Sequence, residues 1–383
     1  MNTRRCTYIA MWSIGYFTVA IRYILLFMNI FDETPVLDKV LFLIAILSLI
    51  VALCLREYTI KQLVIYVGII FIGFISYILS GESIAFIAML LVVSAVDIND
   101  KNLVFIHMCT YIPILVFLGI ITMLGYGVGV IEPYYFIGDD KYIFNFFLNA
   151  KTTYSDMLLS MCLAIICWKY PKDNVKIGTV CIVIVYSLIV YITQSAKMNS
   201  AIGFIILALF IFNKIPYINK LFNYVLQWGM AIISLLVLGI TLVINIPAVD
   251  GLTYKMGVTL YGRFWSGHEA IKQFGITLLG NKIDYGDVKP FDTLFGTINS
   301  ITLDSFYMKC VVCNGLIFLI VINVLYWMAV KKYNSERNMY YSISLFILAI
   351  CLVTDGVNMF PTIGLGVVLL RKALMSKDRY VMR

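Results

Sequence analysis

The stretch "LYGRFWSGHEAIKQFGITLLGNK", Leu260 to Lys282, gathers Arg263, His268, Glu269, Lys272 and Lys282 into an otherwise apolar chain. Outside it, charges with chemical potential are few. Arg22 falls deep in a long apolar run, and Lys309 falls inside another. A charge at the centre of a bilayer costs roughly 2.5–3.5 kcal/mol on insertion scales, so such groups face a partner or a wet cavity. Lys309 is close enough to the end of its run to snorkel outward. Arg22 is not, which leaves a structural ion pair or a contact with an anionic ligand. Motifs of soluble enzymes are missing: there is no Walker loop, G-x-S-x-G, H-E-x-x-H or D-x-D. With only two histidines, His107 and His268, a histidine-rich metal centre is excluded by arithmetic. Cys310 and Cys313 form a C-x-x-C inside an apolar run, where packing explains them as small apolar residues.

What must position these groups follows from composition. Of 383 residues, 62% are hydrophobic and 13% charged, against about 25% charged in soluble domains. So little charge cannot cover a water-facing surface, and the class is a polytopic membrane protein. Apolar runs able to cross about 30 Å of hydrocarbon fall at 8–31, 36–55, 61–79, 83–97, 103–124, 153–169, 176–194, 198–214, 225–246, 303–330, 339–355 and 358–371. The first is expected to act as an uncleaved anchor. With the N-terminus inside, the inner connections hold 18 basic residues and the outer ones 9; the positive-inside rule then places both termini in the cytoplasm. Basic helix ends meeting anionic headgroups account for the net charge of +8, so no nucleic-acid partner is implied.

This topology leaves two long outer segments, 125–152 and 247–302, the latter between the ninth and tenth spans. Phe264, Ile271, Phe274 and Leu278 recur at helical intervals within it. The spacing predicts an amphipathic helix over Arg263–Leu279, closed by Gly280, with its aromatic residues at headgroup depth.

Three elements, taken in order, carry a resemblance. "YGRFW" (Tyr261–Trp265) is followed by "ITLLGNK" (Ile276–Lys282); Asp304 and Ser305 precede Gly315 by nine intervening residues; and "TQSAKMNS" (Thr193–Ser200) places Lys197 near the outer end of an earlier span. In this the chain resembles the bacterial Wzy-type polysaccharide polymerases and the related O-antigen ligases. The resemblance covers about residues 190 to 330. It departs from the pattern at "TQSAKMNS", which lacks the expected arginine beside the serine.

The resemblance implies an all-α fold of about 12 transmembrane helices, GT-C-like, in a single domain of residues 1–383 in the bacterial cytoplasmic (inner) membrane. It implies a glycosyltransferase joining undecaprenyl-pyrophosphate-linked repeat units into capsular, O-antigen or exopolysaccharide chains at the outer face. Partners would be the lipid-linked donor and acceptor, the bilayer, a chain-length regulator and a flippase. Arg263, with Lys197 and Arg22, would bind the pyrophosphate; Asp304 or His268 would take the proton of the acceptor hydroxyl. No cofactor or divalent metal is expected. The alternatives are a flippase for the same lipid-linked oligosaccharide, or a ligase moving finished glycan to another acceptor.

Overall fold

The computed structural model describes residues 3–27, 34–123, 153–169, 216–256, 258–283, 291–293, 296–298, 301, 303–353 and 364–375. Within them the chain is an all-α, multi-pass membrane protein. Six helices are long and apolar enough to cross a bilayer. They lie within α1 (Thr3–Phe27), α2 (Pro35–Cys54), α3 (Ile60–Ser80), α5 (Asp100–Met123), α7 (Pro216–Val243) and α11 (Leu316–Ser335). Shorter apolar helices are α4 (Ile84–Ser94), α6 (Thr153–Lys169) and α12 (Met339–Cys351). Between α7 and α11 stand α8 (Pro247–Met256), α9 (Val258–Phe274), a ribbon of β1 (Phe291–Thr293) and β2 (Gly296–Ile298), and one turn, α10 (Phe306–Lys309). The last helix is α13 (Gly364–Leu369), continued as a 3-10 turn over Leu370–Leu374.

Local chemistry sets the helix ends. Pro35 opens α2 where a missing N–H costs nothing. Thr59 and Gln62 form a reciprocal capping box at the start of α3. On α2 the buried residues Ala45, Ser48, Leu49 and Ala52 form one narrow stripe, while Leu43, Leu47 and Ile50 stand exposed. A helix whose exposed face is this apolar has hydrocarbon, not water, as its outer solvent.

Of the twelve expected spans, 176–194 and 198–214 lie outside the described residues, as do the outer segment 125–152 and Lys197. The tenth is not one continuous helix. The chain passes from α10 through a π-helical turn (Cys310–Asn314) to Gly315, at φ 97°, and only then enters α11. The gap is occupied by backbone from the large loop. Thr277 N–H donates to Val311 O at 3.1 Å and Asn281 N–H to Cys313 O at 2.8 Å; Leu316 N–H donates to Thr277 O at 2.8 Å and Ile317 N–H to Leu278 O at 3.0 Å. These bonds satisfy groups that the broken helix leaves open, which is the condition for irregular backbone among membrane helices. Apolar content over 303–330 is the same in a broken and an unbroken span, so hydropathy could not distinguish them.

The amphipathic helix is also displaced from the predicted Arg263–Leu279: it runs Val258–Phe274, the same length begun five residues earlier. It closes at Gly275, φ 79°, whose N–H caps Ile271 O at 2.8 Å, rather than at Gly280. Leu278 therefore belongs to the extended segment. Nor do the aromatic residues line an interface: Tyr261, Phe264 and Trp265 are buried in protein.

Candidate functional site

Ion pairs and hydrogen bonds sort the polar residues between the two ends of the bundle. Arg263, Asp304, Glu82, Lys309, Arg22 and Asp38 share one end; Arg4, Arg56, Asp97, Asp100 and Arg371 share the other.

At the first end, α9 carries Arg263, and the segment entering α10 carries Asp304. The Arg263 Nε and Asp304 Oδ2 are 3.6 Å apart. The arginine side chain is 13% exposed and the aspartate 45%, so the pair lies at a rim, with the cation on the buried side. The neighbouring Ser305 is buried. Gly267 sets the approach: a Cβ there would lie 3.0 Å from the Met308 side chain. Gly280 and Gly315 close the same junction. A Cβ on Gly280 would lie 2.8 Å from Cys313 O, and one on Gly315 2.5 Å from Leu279 C. The "LLG" turn and Gly315, separated from Ser305 by nine intervening residues, are thus in direct contact. Ser76 on α3 donates to Asn314 O at 2.8 Å and ties the junction to the bundle.

Two further ion pairs stand at this end. Lys309 Nζ lies 2.8 Å from Glu82 Oε2, with side chains 10% and 25% exposed. Arg22 meets Asp38 through two parallel bonds, Nε–Oδ1 at 2.7 Å and Nη2–Oδ2 at 3.2 Å, and donates to Ser83 Oγ at 3.0 Å. Its guanidinium also stands 4.9 Å from the centre of the Phe42 ring. That geometry is a structural ion pair: the arginine's fork is occupied by a carboxylate on the next helix. Asp38 and Glu82 are the residues that sequence reasoning missed. A signal for Asp38 was present. It lies in the first turn of the helix following Arg22, where an antiparallel hairpin brings the two to one depth.

His268 stands apart from Arg263. Five residues at 3.6 per turn rotate it about 140° around α9. Its Nδ1 lies 2.9 Å from Thr241 O, and its ring meets Trp265 edge-on. His268, Trp265, Glu269 and Lys272 line a cleft of about 420 Å³ against Leu242 in the last turn of α7 and Asn245 just beyond its end.

His107 is fully buried in α5. Tyr16 Oη lies 2.6 Å from one ring nitrogen and Ser160 Oγ 2.8 Å from the other. At the opposite end, the buried Arg371 binds Asp100 and donates to Val96 O at 3.2 Å, while Lys372 reaches Asp100 and Glu336 at 3.3 and 2.6 Å. Arg56 meets Asp97 at 2.7 Å.

Comparison with protein-family models, with curated proteins and with solved structures returns no match for the chain.

Proposed function

We propose that the chain is a glycosyltransferase of the outer face of the bacterial cytoplasmic membrane, extending a polysaccharide from undecaprenyl-pyrophosphate-linked repeat units. The observation that carries this reading is the Arg263–Asp304 pair, 3.6 Å apart at a half-exposed rim. Two of the three segments that carry the resemblance, the one ending in Gly280 and the one running from Asp304 to Gly315, are distant in sequence yet interlock at the Gly280–Gly315 junction.

The chemistry asks little more of the protein. The acceptor hydroxyl attacks the anomeric carbon of the donor glycan, and its proton passes to Asp304. The bond to the lipid pyrophosphate breaks, and that group leaves with the electron pair. Arg263 stabilises the charge developing on the leaving phosphate, which lowers the transition state more than the ground state. Lys197 remains a candidate second cation. Arg22, held by Asp38, supports the site through packing. His268 lies on another face of α9, which favours Asp304 as the base. In this reading both termini are cytoplasmic, and a flippase supplies the substrate.

In cells, Arg263→Ala is expected to abolish polymer while single lipid-linked repeat units accumulate and the protein remains inserted. Normal chain lengths in that variant would overturn the assignment.

The discontinuous span favours one second reading. Transporters place ligand sites at broken helices, and a lipid-linked oligosaccharide flippase would use this one. Reconstituted vesicles separate the two: flipping without chain growth supports the transporter, and chain growth without flipping supports the transferase.

A further inference from the structure

The cleft on the other face of α9 holds groups that the transfer step does not use. Its volume of about 420 Å³ falls within the roughly 300–1,000 Å³ of small-ligand sites. Its chemistry is mixed and locally close to neutral. Glu269 is 4% exposed, and its carboxylate is fixed by Lys272 Nζ at 3.1 Å. Trp265 gives its indole N–H to Asp250 at 2.6 Å, so the ring is held in place and its remaining surface is apolar. The carbonyl of Thr241 can only accept, so His268 Nδ1 carries the proton. In the neutral ring, Nε2 is then an acceptor. Asn245 adds an amide, while Leu242 and Ile271 add apolar wall.

We infer that this cleft is a sugar-binding subsite, holding one or two rings of a neutral or zwitterionic glycan beside the reacting centre. A pyranose needs what these residues offer. Its hydroxyls donate to the Glu269 carboxylate and His268 Nε2, and accept from Asn245 and Lys272. Its C–H face lies against the apolar wall of Leu242 and Ile271 and the edge of the indole that reaches the cleft. A pyrophosphate does not fit, because the buried Glu269 carboxylate repels it and neutralises the Lys272 ammonium, which keeps N–H groups only for a neutral hydroxyl. The inference rests on the glycosyl-transfer reading for its biological sense, since it places the acceptor glycan across α9 from Arg263.

The test uses the full-length protein in detergent micelles. Saturation-transfer NMR is recorded against free hexoses, N-acetylhexosamines and their disaccharides. At least one is expected to bind. Glu269→Gln, which removes a charged hydrogen-bond acceptor, and Asn245→Ala, at an exposed position, should each weaken that binding about tenfold. Lys331→Ala, at the other end of the bundle, should leave it unchanged. If Glu269→Gln does not fold, Asn245→Ala decides the result. Absence of binding across the panel, equal binding by both variants, or displacement of the sugar by inorganic pyrophosphate overturns the subsite. Failure here, with polymer still dependent on Arg263, leaves the transferase reading standing. Sugar binding here, with normal polymer from Arg263→Ala, overturns that reading and keeps the cleft.

Discussion

Gly315→Ala is the most discriminating single change in the protein. Gly315 has φ 97° and ψ 144°, a region open to glycine almost alone. Holding a side chain there costs about 1–3 kcal/mol. The new methyl would also lie 2.5 Å from Leu279 C and 2.6 Å from Leu278 O, both backbone atoms that no rotamer change can move. To relieve the collision the extended segment must withdraw, breaking the bonds from Leu316 to Thr277 O and from Ile317 to Leu278 O. Each buried donor left open costs about 1–3 kcal/mol. The total is about 3–9 kcal/mol. Gly81→Ala is the matched control. Gly81 also has positive φ, at 76°, but a Cβ there meets nothing within 4 Å. Its cost is strain alone, about 1–2 kcal/mol. Thermal melting of the two purified variants, read by fluorescence-detected size exclusion in one detergent, gives the comparison. The Gly315 variant should lose at least twice the melting-temperature decrement of the Gly81 variant. It should also lose polymer formation, because Asp304 is positioned through the same junction. A Gly315→Ala protein that melts at or above the temperature of Gly81→Ala would refute the interlocked junction.

Two further outcomes follow from the ion pairs. Arg22→Ala and Asp38→Ala should each lower stability by about 2–4 kcal/mol, less than a fully buried pair because Asp38 is 29% exposed; the double variant should cost well below the sum, and strict additivity of the three melting shifts would dismiss the pair. Arg371→Ala removes a fully buried cation and strands Asp100 beside Lys372, so a loss of about 3–5 kcal/mol and poor recovery of folded protein are expected; wild-type melting in that variant would contradict the buried cluster.

Much of the fold was legible because hydrocarbon is a uniform solvent. A run such as Pro35–Cys54 has to be a helix, since only a helix pairs its own backbone groups within one segment. The polar anomalies were legible for the same reason: Arg22 demanded a partner before any partner was known. The helical stripe in the large loop was readable as far as Phe274, where the intervals are local. It then misled, because Leu278 lies at the right interval but belongs to an extended segment paired with a distant turn.

Composition and the order of residues by themselves therefore determined the environment, the helical class and the existence of a polar segment around Arg263, since these depend on each residue's own solvation. Only the tertiary structure decided that the span after Asp304 is broken, that Asp38 takes up Arg22, that Arg263 meets Asp304, and that His268 faces a separate cleft. Each of these depends on a pairing between separate elements, from 16 residues apart for Arg22 and Asp38 to 41 for Arg263 and Asp304. Its energy lies in a hydrogen bond or ion pair whose second member no local pattern of hydropathy encodes.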